Sequence, residues 1–265
     1  MATGFPIIFG GRRQAWTPAQ ISTALWLDAA DASTITLNGS TVSQWDDKSG
    51  NGRNFAQVTA ASQPTFLATG LNNKPLLSFD GSNDVLTYSG TLATNGATAI
   101  LVANLSSTVA FNRGVLVFTD GTNWDYLPGS FLVWATGFDG VSGNSGADAY
   151  YNGLAAGTQN ATFTMDANMI YGYTSTQGIY GNGSLLHSGN NGTASINLTS
   201  GAIGSRLQGT ATSNFSKVSV SEILLTNTPM DETTRQRAEG YLAWKWGLES
   251  NLPANHPYKN SPPTV

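Results

Sequence analysis

The chain has no cysteine and little charge. Without a thiol there is no disulfide, no zinc–thiolate centre and no thiol nucleophile. Only 11% of the 265 residues are charged, against roughly 25% in an average soluble domain. Lys and Arg number 12 and Asp and Glu 16, a formal charge of −4. Nucleic-acid binding relies on phosphate neutralisation by Lys and Arg, so no nucleic-acid partner is expected. Histidine occurs twice, as His187 and His256. Neither neighbourhood suggests the Ser and Asp that a triad brings to one imidazole. Glutamate is absent until Glu222. No run approaches the ~20 apolar residues of a membrane span, so no membrane partner is expected. Met1–Gly11 lacks a basic region and is broken by Pro6, unlike a secretory signal.

Gly, Ser, Thr and Asn fill the place of charge, while 40% of the residues are hydrophobic, enough for a core. Short apolar runs recur between turn signals such as Asn38-Gly39, Asn72-Asn73 and Asp80-Gly81. Strands are expected over 97–105, 114–119, 130–135, 147–151, 161–165 and 169–174. Asn182-Gly183 predicts a type I′ turn in a hairpin over 179–186. In 25–27, Leu25 and Leu27 alternate with Trp26, which predicts Trp26 on the opposite face. The polar stretch 190–200 reads as a loop. Many short strands indicate a sandwich or jelly roll.

The C-terminal fifth organises the rest. Lys217–Leu225 reads as a buried strand, and Thr228-Pro229 breaks it. Asp231 is a good N-cap, and Ala238, Tyr241, Leu242 and Trp246 fall on one helical stripe. Gly247 is placed as the left-handed C′ residue. Within this segment, Glu239-Gly-Tyr-Leu-Ala-Trp-Lys-Trp-Gly-Leu248 and Leu252-Pro-Ala-Asn-His-Pro-Tyr258 resemble the closing part of a concanavalin A-like, laminin G-like jelly-roll domain. Bacteriophage virion proteins and large bacterial surface proteins carry this variant. Ala24–Asp31, Val42–Gly52, Gln63-Pro64 and Phe79–Asp84 resemble its opening motifs in the same order. The resemblance spans about Trp16 to Tyr258. It implies an all-β jelly-roll sandwich with one C-terminal helix, with residues 1–15 as an arm, 16–260 as the domain and 261–265 as a tail.

Glycosidases of this superfold use paired carboxylates at short spacing, typically two Glu flanking an Asp. Glu222, Glu232, Glu239 and Glu249 cannot make that pattern, so no enzymatic activity is expected. No organic cofactor is expected either. Aspartates in Gly/Asn-rich loops read first as caps of their own turns. Calcium stays open as the alternative, with Asp120 and Asp125 the first candidates for a metal. Trp124 and Tyr126, in the loop Asp120–Tyr126, and Tyr150-Tyr151 are candidate glycan contacts, because exposed aromatics stack on sugar faces. Trp134 is assigned to the core.

These readings lead to a phage virion structural protein, a capsid decoration or a fibre, with a lectin-like domain that holds surface glycans weakly. The alternatives are a tail-associated or cell-surface carbohydrate-binding module and, less favoured, a polysaccharide hydrolase. The expected location is the virion surface after assembly in the host bacterial cytoplasm. Phe5, Ile7, Ile8 and Phe9 would dock the arm on other virion proteins or on another copy in a homo-oligomer.

Overall fold

The computed structural model describes residues 14–108, 113–136, 147–155 and 164–265. The assembly arm, with Phe5, Ile7, Ile8 and Phe9, lies outside the described residues, as does most of the strand expected over 161–165.

Among the described residues, seventeen strands join through antiparallel pairings into one sheet that folds over into two layers. In one layer Lys217–Thr226 pairs with Thr98–Leu105, which pairs with Asn168–Thr174. Gly178–Gly181 and the edge strand Ser184–Ser188 follow. On the other side of Lys217–Thr226 lie Leu76–Asp80 and, further along, Leu25–Asp28. The second layer runs Leu86–Asn95, Ser195–Ile203, Arg113–Thr119, Phe131–Thr136 and Ala147–Tyr151. Thr41–Trp45 joins the layers, since it pairs with Thr65–Leu67 at one end and with Phe55–Ala56 at the other.

Between the layers the core is aromatic. Trp45, Phe55, Phe79, Phe118, Phe131, Tyr151, Tyr171 and Tyr173 are fully buried. Phe131 and Tyr173 meet across the layers with centroids 5.8 Å apart.

The one α-helix among the described residues, α1 (Glu232–Trp246), covers the outer face of the first layer. The strand beneath it, Thr98–Leu105, is therefore buried on both faces and reads as a continuous apolar run. Leu101 and Leu105 enter the inter-layer core, while Ile100 and Val102 meet the helix layer. In Lys217–Thr226 a register shift between Val220 and Glu222 breaks the alternation. Val218 and Val220 face the inter-layer core before it, and Ile223 and Leu225 after it. The shift turns Glu222 and Leu224 towards α1, because a bulge reverses which face each later side chain takes.

The helix ends follow the sequence. The Asp231 carboxylate accepts from the Thr234 amide at 2.7 Å, and Gly247 has φ 68° and ψ 37°. Ala238, Leu242 and Trp246 are fully buried, and Tyr241 is half-buried. Gly240 lies against the C-terminal segment. A Cβ there would sit 2.5 Å from the Tyr258 Cβ, so a side chain would push that segment away.

Two expectations need correction. The stretch 190–200 is not all loop: Ser195–Ile203 is a central strand of the second layer, with Ile196 and Leu198 buried. Its polar composition hides an alternation of exposed and buried positions over Ser195–Ser200, which is the signature of a half-buried strand. Residues 261–265 are not a free tail. The Trp16 amide donates to the Pro263 carbonyl at 3.0 Å, the Val265 amide donates to the Gln14 carbonyl at 2.9 Å, and Ala15 bridges Thr264.

Candidate functional site

The residues that carry the family resemblance meet beneath the C-terminal half of α1. Glu222 is completely buried. Its Oε1 accepts from the Trp26 indole at 2.8 Å and the Tyr241 hydroxyl at 3.3 Å. Its Oε2 accepts from Lys245 at 2.6 Å and the Trp246 indole at 2.7 Å. Lys245 also reaches Asp28 at 2.7 Å, and Lys48 links Asp28 at 2.9 Å to Asp31 at 2.7 Å. Lys48 lies over the Trp26 ring, 4.5 Å from its centroid. Burial pushes the Glu222 carboxyl up from its ordinary value, Lys245 draws it down, and Asp28 adds to the rise. Lys48 and Ser33 hold Asp31 down at about 2. The cluster ties the helix, the first motif and the central strand together. Glu222 is walled in by two indoles and a phenol and cannot reach a substrate.

The loop Asp120–Tyr126 holds the first candidate binding surface. Asp120 Oδ1 accepts from the Thr122 and Asn123 amides at 2.8 and 2.9 Å, and Oδ2 accepts from the Asn123 side chain at 2.9 Å. Burial pushes the Asp120 carboxyl up, and the bonds from Asn123 and Thr122 outweigh it, leaving it below its ordinary value. This organised turn presents Thr122 and Asn123 to solvent. Trp124 and Tyr126 follow, half-buried and stacked, with centroids 6.1 Å apart and planes 29° from parallel.

Asp125, between them, points inward and is fully buried. Arg206 grips it with two donors, Nη2 on Oδ1 and Nε on Oδ2, the latter at 2.6 Å. The Leu207 amide adds a third bond at 2.9 Å. The proposed metal pair of Asp120 and Asp125 is thus overturned. One carboxylate caps its own turn, while the other neutralises a buried guanidinium on the opposite side of the backbone. Among the described residues no group of three or more His, Asp or Glu side chains could hold an ion.

Of the four aromatic candidates, Trp124 and Tyr126 come together. Tyr151 is a core residue and a correction to the expected glycan set. Its ring is fully buried, and its hydroxyl accepts from the Gly96 amide at 2.6 Å and donates to the Ala194 carbonyl at 2.6 Å. Tyr150 lies in the same strand, and its side chain, like that of Trp134, lies outside the described part of the structure.

A second cluster sits under the N-terminal half of α1. The Arg235 Nη1 donates to Glu239 Oε1 at 2.6 Å, and His256 Nε2 lies 3.3 Å from Glu239 Oε2. The Tyr180 ring lies 3.7 Å from the guanidinium. All three members of the chain from Arg235 to His256 are buried. An Arg and a Glu four residues apart on a helix are legible as a pair, but their burial is set by His256 and Tyr180 from other segments. His187 is half-buried in the edge strand, opposite Ile179.

No protein-family model and no curated protein matches the sequence. Solved structures do match in shape. A Trypanosoma rangeli sialidase in complex with 2,3-difluorosialic acid aligns over 84% of this chain and 33% of its own, at 12% identity and a TM-score of 0.55. The binding domain of botulinum neurotoxin serotype G aligns over 86% of this chain and 52% of its own, at 11% identity and a TM-score of 0.52. Domain 4 of AbnA, a GH43 extracellular arabinanase from Geobacillus stearothermophilus, in complex with arabinotriose, aligns over 71% of this chain and 89% of its own, at 12% identity and a TM-score of 0.51. The chain thus spans about a third of the length of the sialidases it matches. At these identities the likeness is one of fold. The class is an all-β jelly-roll sandwich with one C-terminal helix among the described residues.

Proposed function

We propose that this protein is a non-catalytic glycan-binding module. Its aromatic loop, Thr122–Tyr126, is the contact, and a bacteriophage virion surface is the place of display. The carrying observation is how the carboxylates are used. Glu222, Glu239, Asp28 and Asp125 are buried against cations or indoles, and Asp120 caps its own turn. A hydrolase needs one carboxyl free to donate a proton and another free to attack or activate water. The loop offers what sugar recognition needs instead: a stacked indole and phenol beside exposed hydroxyl and amide groups. Two fold-mates support a binding role, one described as a binding domain and one solved with arabinotriose. The virion placement rests on the family resemblance, with the arm as the attachment to other virion proteins.

A glycan array tests the binding reading. Wild type should bind a subset of glycans weakly, and Trp124→Ala should lose about 1 kcal/mol or more of that affinity, the scale of truncating a contact tryptophan. No binding by wild type, or unaltered binding by the variant, rules out the loop. Sustained release of reducing ends from polysaccharide would replace the module with a hydrolase. The tail-associated or cell-surface alternative shares the binding test and parts from the virion reading when purified particles are probed for the chain.

A further inference from the structure

A cleft of about 740 Å³ opens where α1 meets the edge of the first layer and the C-terminal segment. We propose that it binds a neutral polyhydroxylated ligand, a sugar ring of an uncharged glycan. The surface differs from the aromatic loop, and the inference stands whether or not that loop binds sugar.

The volume lies within the roughly 300–1,000 Å³ of small-ligand sites. The groups on its wall are suited to hydroxyls. Gln236 and Asn255 bring amides that both donate and accept, and Ser184 brings a hydroxyl, while the Gln177 amide is engaged with the Tyr180 hydroxyl at 3.0 Å and the Met230 carbonyl at 3.4 Å. Leu185, 52% exposed on the edge strand, and Pro253 give apolar surface for the C–H face of a ring.

The charges decide against an acidic ligand. Arg235 lines the cleft, but Glu239 already neutralises it at 2.6 Å. Glu232 also lines the cleft and is exposed, with Gln236 donating to it at 3.1 Å. A ligand carboxylate would meet a spent guanidinium and a like charge. The Arg235 side chain is only 4% exposed, and its Nε has no acceptor among the described residues. A neutral ring sets no further negative charge beside Glu239 and Glu232. The Tyr180 ring, 3.7 Å from the guanidinium, holds it against Glu239.

The test is an NMR titration of the isotope-labelled full chain. The neutral probes are gluco-, manno- and arabino-trisaccharides, and trigalacturonate is the acidic one. At least one neutral probe should shift the side-chain amides of Gln236 and Asn255, and trigalacturonate should not. The Gln236→Ala/Asn255→Ala variant alters one half-buried and one exposed side chain, and its melting temperature verifies the fold. It should weaken binding about tenfold or more, the effect of losing one or two good hydrogen bonds, while Trp124→Ala leaves the cleft signals unaltered. The inference is overturned if no neutral probe shifts these amides or if trigalacturonate binds at least as tightly. It is equally overturned if the double variant binds like wild type. Sugar binding that vanishes only with Trp124→Ala would leave the loop as the site and remove the cleft.

Discussion

Asp125 and Asp84 show how one carboxyl's surroundings set its role. Asp125 holds Arg206 in a dry, bidentate pair. Breaking such a pair from one side leaves a buried charge, so Asp125→Asn should cost about 3–5 kcal/mol in urea unfolding. Calcium or a chelator should leave the wild-type melting temperature in place, and a calcium-dependent rise of several degrees would restore the metal reading. Asp84 is buried, and its carboxyl accepts from the Asp80 amide at 2.9 Å. Burial raises it from 3.8 to about 6. A raised carboxyl favours the folded state while protonated, so its contribution is whole below about pH 4 and is lost as pH rises through about 6. Asp84→Asn keeps the acceptor oxygen without the charge. The gap in stability between variant and wild type should widen in the variant's favour from pH 4 to 7, by on the order of 2 kcal/mol. Parallel pH curves for the two proteins would contradict this. The aromatic residues Trp124 and Tyr126 were legible as loop residues from the turn chemistry around them. Tyr151 was not, because its place in the core depends on Phe131 in the paired strand and on Thr94, Gly96 and Ala194, which meet its hydroxyl from segments distant in sequence.

Among the elements, α1 was the most legible, since its cap, its stripe and its terminating glycine are all local signals. Trp246 is fully buried, and its indole donates to Glu222. Trp246→Ala should cost about 3–5 kcal/mol, because it leaves a cavity and strips a donor from a buried carboxylate. A loss below 1 kcal/mol would mean that the cluster under the helix reorganises cheaply. Gly240→Ala tests the other face of the same helix. Alanine favours a helix over glycine by up to about 1 kcal/mol, yet its methyl would meet Tyr258. The contact should win and lower the melting temperature, whereas a more stable variant would show that the C-terminal segment yields freely. The strand Ser195–Ile203 was harder to read, for in its first six residues the apolar positions are only Ile196 and Leu198, among hydroxyl and amide residues. The bulge beside Glu222 left no mark in the sequence, since an apolar run looks the same in either register.

For the whole molecule, the helix is the outer cover of a layer whose strands are apolar on both faces. Removing everything after Thr228 would expose Ile100, Val102, Ile170 and Leu224, so the product should aggregate or lose its cooperative melt. A truncated chain that melts near the wild-type temperature would contradict this. The sequence alone determined the class of fold and the C-terminal helix with its ends. Both rest on composition and short-range pattern: turn residues, alternation and caps. Only the tertiary structure decided which polar groups are spent and which stay available. Asp125 finds Arg206 81 residues away, and Glu222 finds Trp26 196 residues away. The cleft likewise exists only where helix, edge strand and C-terminal segment converge. Such pairings depend on strand register and on which face a bulge turns outward, and neither is written in any local stretch of the chain.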